Sequence, residues 1–151
     1  MNGKAWIDMI AAELSQADPA NAGAYYANAA AAKAEIDATM AQIEAQLEGM
    51  EDLSFVVFHD AYQYFEERFG LRAAGAISLS DATDPSPARV AELREMVAAR
   101  GIECAYAEPQ FDPGEDDRTL EIDPMGTAIA PGPEFYTELL RSVAASFAGC
   151  R

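Results

Sequence analysis

The chain contains a single histidine, His59. It stands directly after the apolar run Leu53-Ser54-Phe55-Val56-Val57-Phe58, the pattern of a strand covered on both faces. Two acidic residues hold comparable places. Glu108 follows the strand expected over 102–107, and Asp123 follows the short strand expected over 120–122. In open parallel sheets a ligand site lies outside the carboxyl ends of the strands. Three such ends on one edge would bring these side chains together, and one imidazole with two carboxylates suits zinc or manganese. The plainer alternatives stay open. A lone histidine after a strand is often a hydrogen-bonded loop residue, and Glu108-Pro109 and Asp123-Pro124 can both start turns. Asp60 is expected to cap the helix that follows.

Catalytic patterns are missing. There is no GxSxG elbow to pair a serine with His59. Cys104 precedes no helix N-terminus that would activate a thiolate. Neither GxGxxG nor GxxxxGK(S/T) occurs. Cys104 and Cys150 form no CxxC pair; they are either isolated buried thiols or an oxidised pair in an exported protein.

The elements that must hold these residues are of two kinds. The first fifty residues contain sixteen alanines. Trp6, Ile7, Ile10 and Leu14 mark one face of a helix that ends at Asp18-Pro19, where Asp is expected to cap and Pro suits a first turn. A second helix runs to Leu47 and stops at Gly49, with Ile36, Met40, Ile43 and Leu47 on one stripe. From residue 53 strands and helices alternate. Strands are expected over 53–58, 76–80, 102–107 and 120–122. Helices are expected from Asp60 to Gly70, from Ser86 as cap to Gly101 with Val90, Leu93, Met96 and Val97 buried, and from Gly132-Pro133 onward with Phe135, Leu139, Leu140, Val143 and Phe147 inward. This predicts an α/β fold, a mostly parallel sheet of about four strands with flanking helices, preceded by a long alanine-rich helix. The expected division is a helical segment over 1–49 and an α/β lobe over 50–151.

Of 151 residues, 26 are acidic and 10 basic, a net charge of −16. Such a surface repels phosphate backbones and anionic lipid and attracts cations, so no nucleic-acid partner is expected. No apolar run approaches the roughly 20 residues of a membrane span. Asp8 and Glu13 interrupt any leader-like stretch near the start, and a water-soluble chain is expected.

The segment Phe55-Val-Val-Phe-His-Asp-Ala-Tyr-Gln-Tyr-Phe65, the run Ala107-Glu-Pro-Gln-Phe111 and Asp123-Pro-Met-Gly126 resemble the C-terminal lobe of zinc-uptake substrate-binding proteins of ABC importers, the ZnuA-like family. The resemblance covers nearly the whole chain. It implies a periplasmic, non-catalytic protein that binds zinc, with manganese less favoured, and delivers it to an ABC permease. By that resemblance His59 is the metal-binding histidine of the lobe and Asp123 a ligand in some members. Glu108 supports the site or the structure around it, and Cys104 and Cys150 form a disulfide. The long helix matches the backbone that joins two lobes, which predicts an exposed stripe able to self-associate. Two departures stand out. The N-terminal lobe, with two further histidines, is missing, leaving half of a clamp. Family members also carry a helix between the second and third motifs, where here only residues 112–119 lie between Phe111 and Leu120. A flavodoxin-like small-molecule enzyme domain, or a lobe serving only as scaffold, is the alternative.

Overall fold

The computed structural model describes residues 2–78, 86–102, 104–110 and 119–150, without the side chains of Pro87 and Leu93. The chain divides into two compact units, residues 1–42 and 43–151.

The first unit is a helical hairpin. Helix α1 (Asn2–Ala17) ends where Pro19 begins a 3-10 turn (Pro19–Asn21), and α2 (Ala22–Gln46) follows. Lys4 pairs with Asp37 at 2.6 Å and Lys33 pairs with Asp8. One partner's number rises as the other's falls, so the helices run antiparallel. Asp18 makes no side-chain cap; its carboxylate instead accepts from Asn21 Nδ2 and Tyr25 Oη at 2.7 and 2.9 Å. A tyrosine seven residues on thus outcompetes the backbone for it. The bonds from the Asn21 and Tyr25 side chains hold the Asp18 carboxyl below the usual range, outweighing the opposing effect of desolvation. On α1, Trp6, Met9, Ile10 and Leu14 are exposed.

The last turn of α2 belongs to the second unit, because Ile43 and Leu47 are buried in the same core as Phe55 and Phe147. The compact boundary therefore falls a few residues before Gly49. That glycine sits at φ +79°, a conformation that favours the residue without a Cβ. The elements that follow are β1 (Ser54–His59), α3 (Gln63–Phe69), β2 (Arg72–Ser78), α4 (Pro87–Arg100), β3 (Cys104–Ala107), β4 (Thr119–Glu121) and α5 (Phe135–Ala148). The sheet order is β2-β1-β3-β4 and every pairing is parallel. Period-2 alternation splits β1 between two cores. Phe55 and Val57 join the main core with Tyr106, Val143 and Phe147, while Val56 packs with Ile102, Met96 and Val97.

Several local expectations shift. β2 begins four residues before the expected Ala76, since the small residues Ala73 to Gly75 carry little strand signal yet pair with β1. Leu79 and Ser80 lie outside the described residues, as do Asp84, Pro85 and the Leu93 side chain. Asp60 does not cap α3. The turn Ala61 N–H to His59 O delays the helix to Gln63, and the Asp60 carboxylate accepts from the Gln63 side chain. Ser86 does cap α4, its hydroxyl accepting from Arg89 N–H at 3.2 Å. Cys104 and Cys150 are disulfide-bonded, tying the end of α5 to β3 with Cα atoms 6.0 Å apart.

Candidate metal site at the strand ends

β1, β3 and β4 are neighbours in the sheet and run the same way, so their carboxyl ends lie along one edge. His59 ends its strand, Glu108 directly follows β3, and Asp123 comes two residues after the end of β4. Their environments differ.

His59 is the last residue of β1 and its side chain is 13% exposed. Glu108 follows β3 and is almost fully buried, at 5%. His59 Nδ1 lies 2.6 Å from Glu108 Oε1, an electrostatic approach rather than a straight hydrogen bond. A buried carboxylate needs such partners, since taking a charge out of water without them is expensive. A second partner comes from Tyr62, whose hydroxyl donates to the same Oε1 at 3.0 Å. The carboxylate stands against the Nδ1 side of the ring. Carboxylates commonly orient metal-binding histidines this way. Glu108 Oε1 thus faces both the imidazole and the Tyr62 hydroxyl.

Asp123 is differently engaged. Its Oδ1 accepts from Met125 and Gly126 N–H at 2.9 and 3.0 Å; its Oδ2 accepts from Thr127 N–H and Oγ1, both at 2.6 Å. Four donors meet the roughly four lone-pair directions a carboxylate offers. Burial pushes this carboxyl up, but the bonds from Thr127, Met125 and Gly126 outweigh it and hold the carboxyl below the usual range. The loop needs Gly126, at φ +66°. A Cβ there would stand 2.8 Å from the Phe135 ring. Asp123 is therefore the staple of its own turn.

The described residues contain no group of three or more His, Cys, Asp or Glu side chains placed to hold a metal ion. The structure brings His59 and Glu108 together and adds Tyr62, which the sequence placed only within the helix expected from Asp60 to Gly70. The available clue was a hydroxyl three residues after the sole histidine, where phenylalanine would have packed equally well. A shallow cavity of about 380 Å³ is lined by Glu48, Gly49, Met50, Asp52, Leu53 and Cys150, none of them a candidate ligand.

Residues 1–150 match the family described as zinc-uptake complex component A, periplasmic (ZnuA). The chain belongs to the ZnuA family. The high-affinity zinc uptake system protein ZnuA of Paracoccus denitrificans (strain Pd 1222) is 43% identical over 158 residues, covering 99% of this chain and 48% of that protein. ZnuA of Brucella abortus (strain 2308) is 39% identical over 157 residues, covering 99% and 47%. Among solved structures, a mutant laminin-binding adhesin, Lmb, from Streptococcus agalactiae superposes with a TM-score of 0.76 at 22% identity. That match covers 94% of this chain and 57% of the adhesin, and it bears out the fold. The chain spans about half the length of the ZnuA relatives it matches. No helix among the described residues is long and apolar enough to cross a membrane.

Proposed function

We propose that this chain is the C-terminal lobe and connecting helices of a two-lobed periplasmic protein. It captures zinc and presents the ion to an ABC permease of the inner membrane, without catalysing a reaction. Zinc is its cargo. The observation that carries this reading is the His59 imidazole at the carboxyl edge of a parallel sheet, with buried Glu108 against Nδ1, in a chain of the ZnuA family. The net charge of −16 adds a field that draws cations in. Asp123 ligates only by giving up one of its four donors, so it serves a bound ion less than His59 does.

Tight zinc sites are tetrahedral with four ligands. His59 is one, the other lobe of the two-lobed protein supplies further histidines, and zinc binding by this half alone is weak. Zinc titrated at fixed ionic strength into wild type and His59→Ala decides the matter. The wild type shows one defined site above diffuse carboxylate binding, and the variant loses it. Coincident isotherms would make His59 a structural residue and end the zinc reading.

The exposed α1 stripe supports a further part of the proposal. Trp6, Met9 and Ile10 are each more than half exposed, and exposed apolar stripes favour association. This half alone self-associates through them at high micromolar concentration. Sedimentation equilibrium of wild type against Trp6→Ser checks it; a monomer throughout speaks against it.

A further inference from the structure

An imidazole has two inequivalent nitrogens, and the one that carries the proton is decided by what faces the other. In water the neutral histidine side chain prefers its proton on Nε2. Holding it on Nδ1 requires an acceptor kept in place. Glu108 Oε1 fills that place by its charge, 2.6 Å from Nδ1 though not in line for a straight hydrogen bond. A glutamate has three side-chain torsions, however, and stands in a loop just beyond β3, so its carboxylate needs anchoring of its own.

Tyr62 supplies the anchor. The residue is 3% exposed, and its ring meets Phe147 edge-on with centroids 6.1 Å apart. The core therefore fixes where the hydroxyl points. That hydroxyl donates to Glu108 Oε1 at 3.0 Å, the same oxygen that faces His59. Packing alone does not call for a hydroxyl, because phenylalanine fills the same space. Burying one is unfavourable unless it is bonded. The end of β1 and the turn into α3 provide His59 and Tyr62, while Glu108 directly follows the neighbouring strand β3. One oxygen thus links two chain segments.

We infer that Tyr62 is a positioning residue: its hydroxyl pins the Glu108 carboxylate so that the His59 proton stays on Nδ1 and the lone pair on Nε2. The use of that lone pair for an ion rests on the function proposed above, whereas the arrangement itself needs no ion.

The experiment exploits the sole histidine. A long-range ¹H–¹⁵N spectrum of the metal-free chain, labelled at histidine, contains one imidazole pattern, which reports the tautomer without assignment. At about pH 8, where an ordinary imidazole is neutral, the wild type shows the Nδ1–H form. Tyr62→Phe keeps the ring against Phe147 and shifts the pattern toward Nε2–H. Tyr62→Leu repeats the test without the ring, with the backbone amide spectrum checking the fold. A wild type already in the Nε2–H form, or a Tyr62→Phe pattern equal to a Nδ1–H wild type, overturns the inference. Zinc titration of Tyr62→Phe separates the two readings. Removing groups that orient a ligand weakens metal binding about 10- to 100-fold, and a group one step further out belongs near the low end. Should His59→Ala bind zinc like the wild type, the zinc reading falls, and the tautomer pattern still decides the role of Tyr62.

Discussion

In the helical hairpin, Lys4 reaches Asp37 and Lys33 reaches Asp8 across surface that water shares, and much of α1's apolar side stands exposed. In the α/β unit, by contrast, Phe147 meets Phe55 and Tyr106 at 5.0 Å, Phe65 at 5.6 Å and Tyr62 at 6.1 Å, and a disulfide closes beside them. Exposed ion pairs contribute roughly 0.2–1 kcal/mol each. A buried phenylalanine is worth several times that, about 3–5 kcal/mol when truncated to alanine. The contrast shows which unit can hold a site. Tyr62 both belongs to the aromatic core and touches Glu108, so the candidate ligand is oriented from within the better-packed unit. An alanine-rich hairpin has no comparable anchor to offer.

The largest effect that would sharpen this contrast comes from the disulfide. Replacing Cys104 and Cys150 with alanine frees a loop of about 47 residues, which the chain-entropy model values at about 4 kcal/mol as an upper figure. Denaturant unfolding followed by near-ultraviolet signals from the aromatic cluster is expected to lose about 3 kcal/mol. A loss below about 1 kcal/mol would show that the ring cluster holds the unit without it.

Asp123 comes next, with an effect that depends on pH. Its folded carboxyl titrates below the ordinary aspartate value, so its contribution is fully present above about pH 3.9 and is lost as pH falls through the lower folded value. Asp123→Asn loses charge-assisted bonds in a partly exposed loop, about 1 kcal/mol at neutral pH after allowance for solvent screening. Acid titration of stability is expected to bring variant and wild type together at the acid end. Curves that stay parallel down to strongly acid pH would contradict the staple role.

The smallest effect belongs to the hairpin. Lys4→Ala and Lys33→Ala each lower stability by under about 1 kcal/mol. The difference shrinks further in about 1 M salt, where the screening length is near 3 Å. Helical signal followed through thermal melts at two salt concentrations reads this directly. A large, salt-insensitive loss would mean that the hairpin is bound by more than its charges.

The architecture was open to reading because its signals are local. Strand β1 is a continuous apolar run, Gly70 and Gly101 close their helices at positive φ, and Ser86 caps α4. Where a contact joins residues far apart, the sequence is mute. The local pattern does not tell Glu108 from Asp123, since both follow a strand and precede a proline. The structure separates them by what each carboxylate finds. Asp123 meets N–H groups within four residues of itself, whereas Glu108 is buried against residues more than forty positions away. Asp60 and Asp18 failed as caps for a related reason. Side chains of Gln63, Asn21 and Tyr25 took up their oxygens. Periodicity also overlooked β2's first half, because alanine and glycine carry little weight in it.

Because Cys104 and Cys150 are joined, the polypeptide between them is a covalent ring, and Glu108 and Asp123 lie on it while His59 lies outside. A single protease cut anywhere on that ring leaves one molecule of nearly unchanged mass. The nicked pieces part on a gel only after reduction. Strand β3 and helix α5 keep one shared tether through a break in the chain between them, so the wall that carries Glu108 stays attached to the body that carries His59.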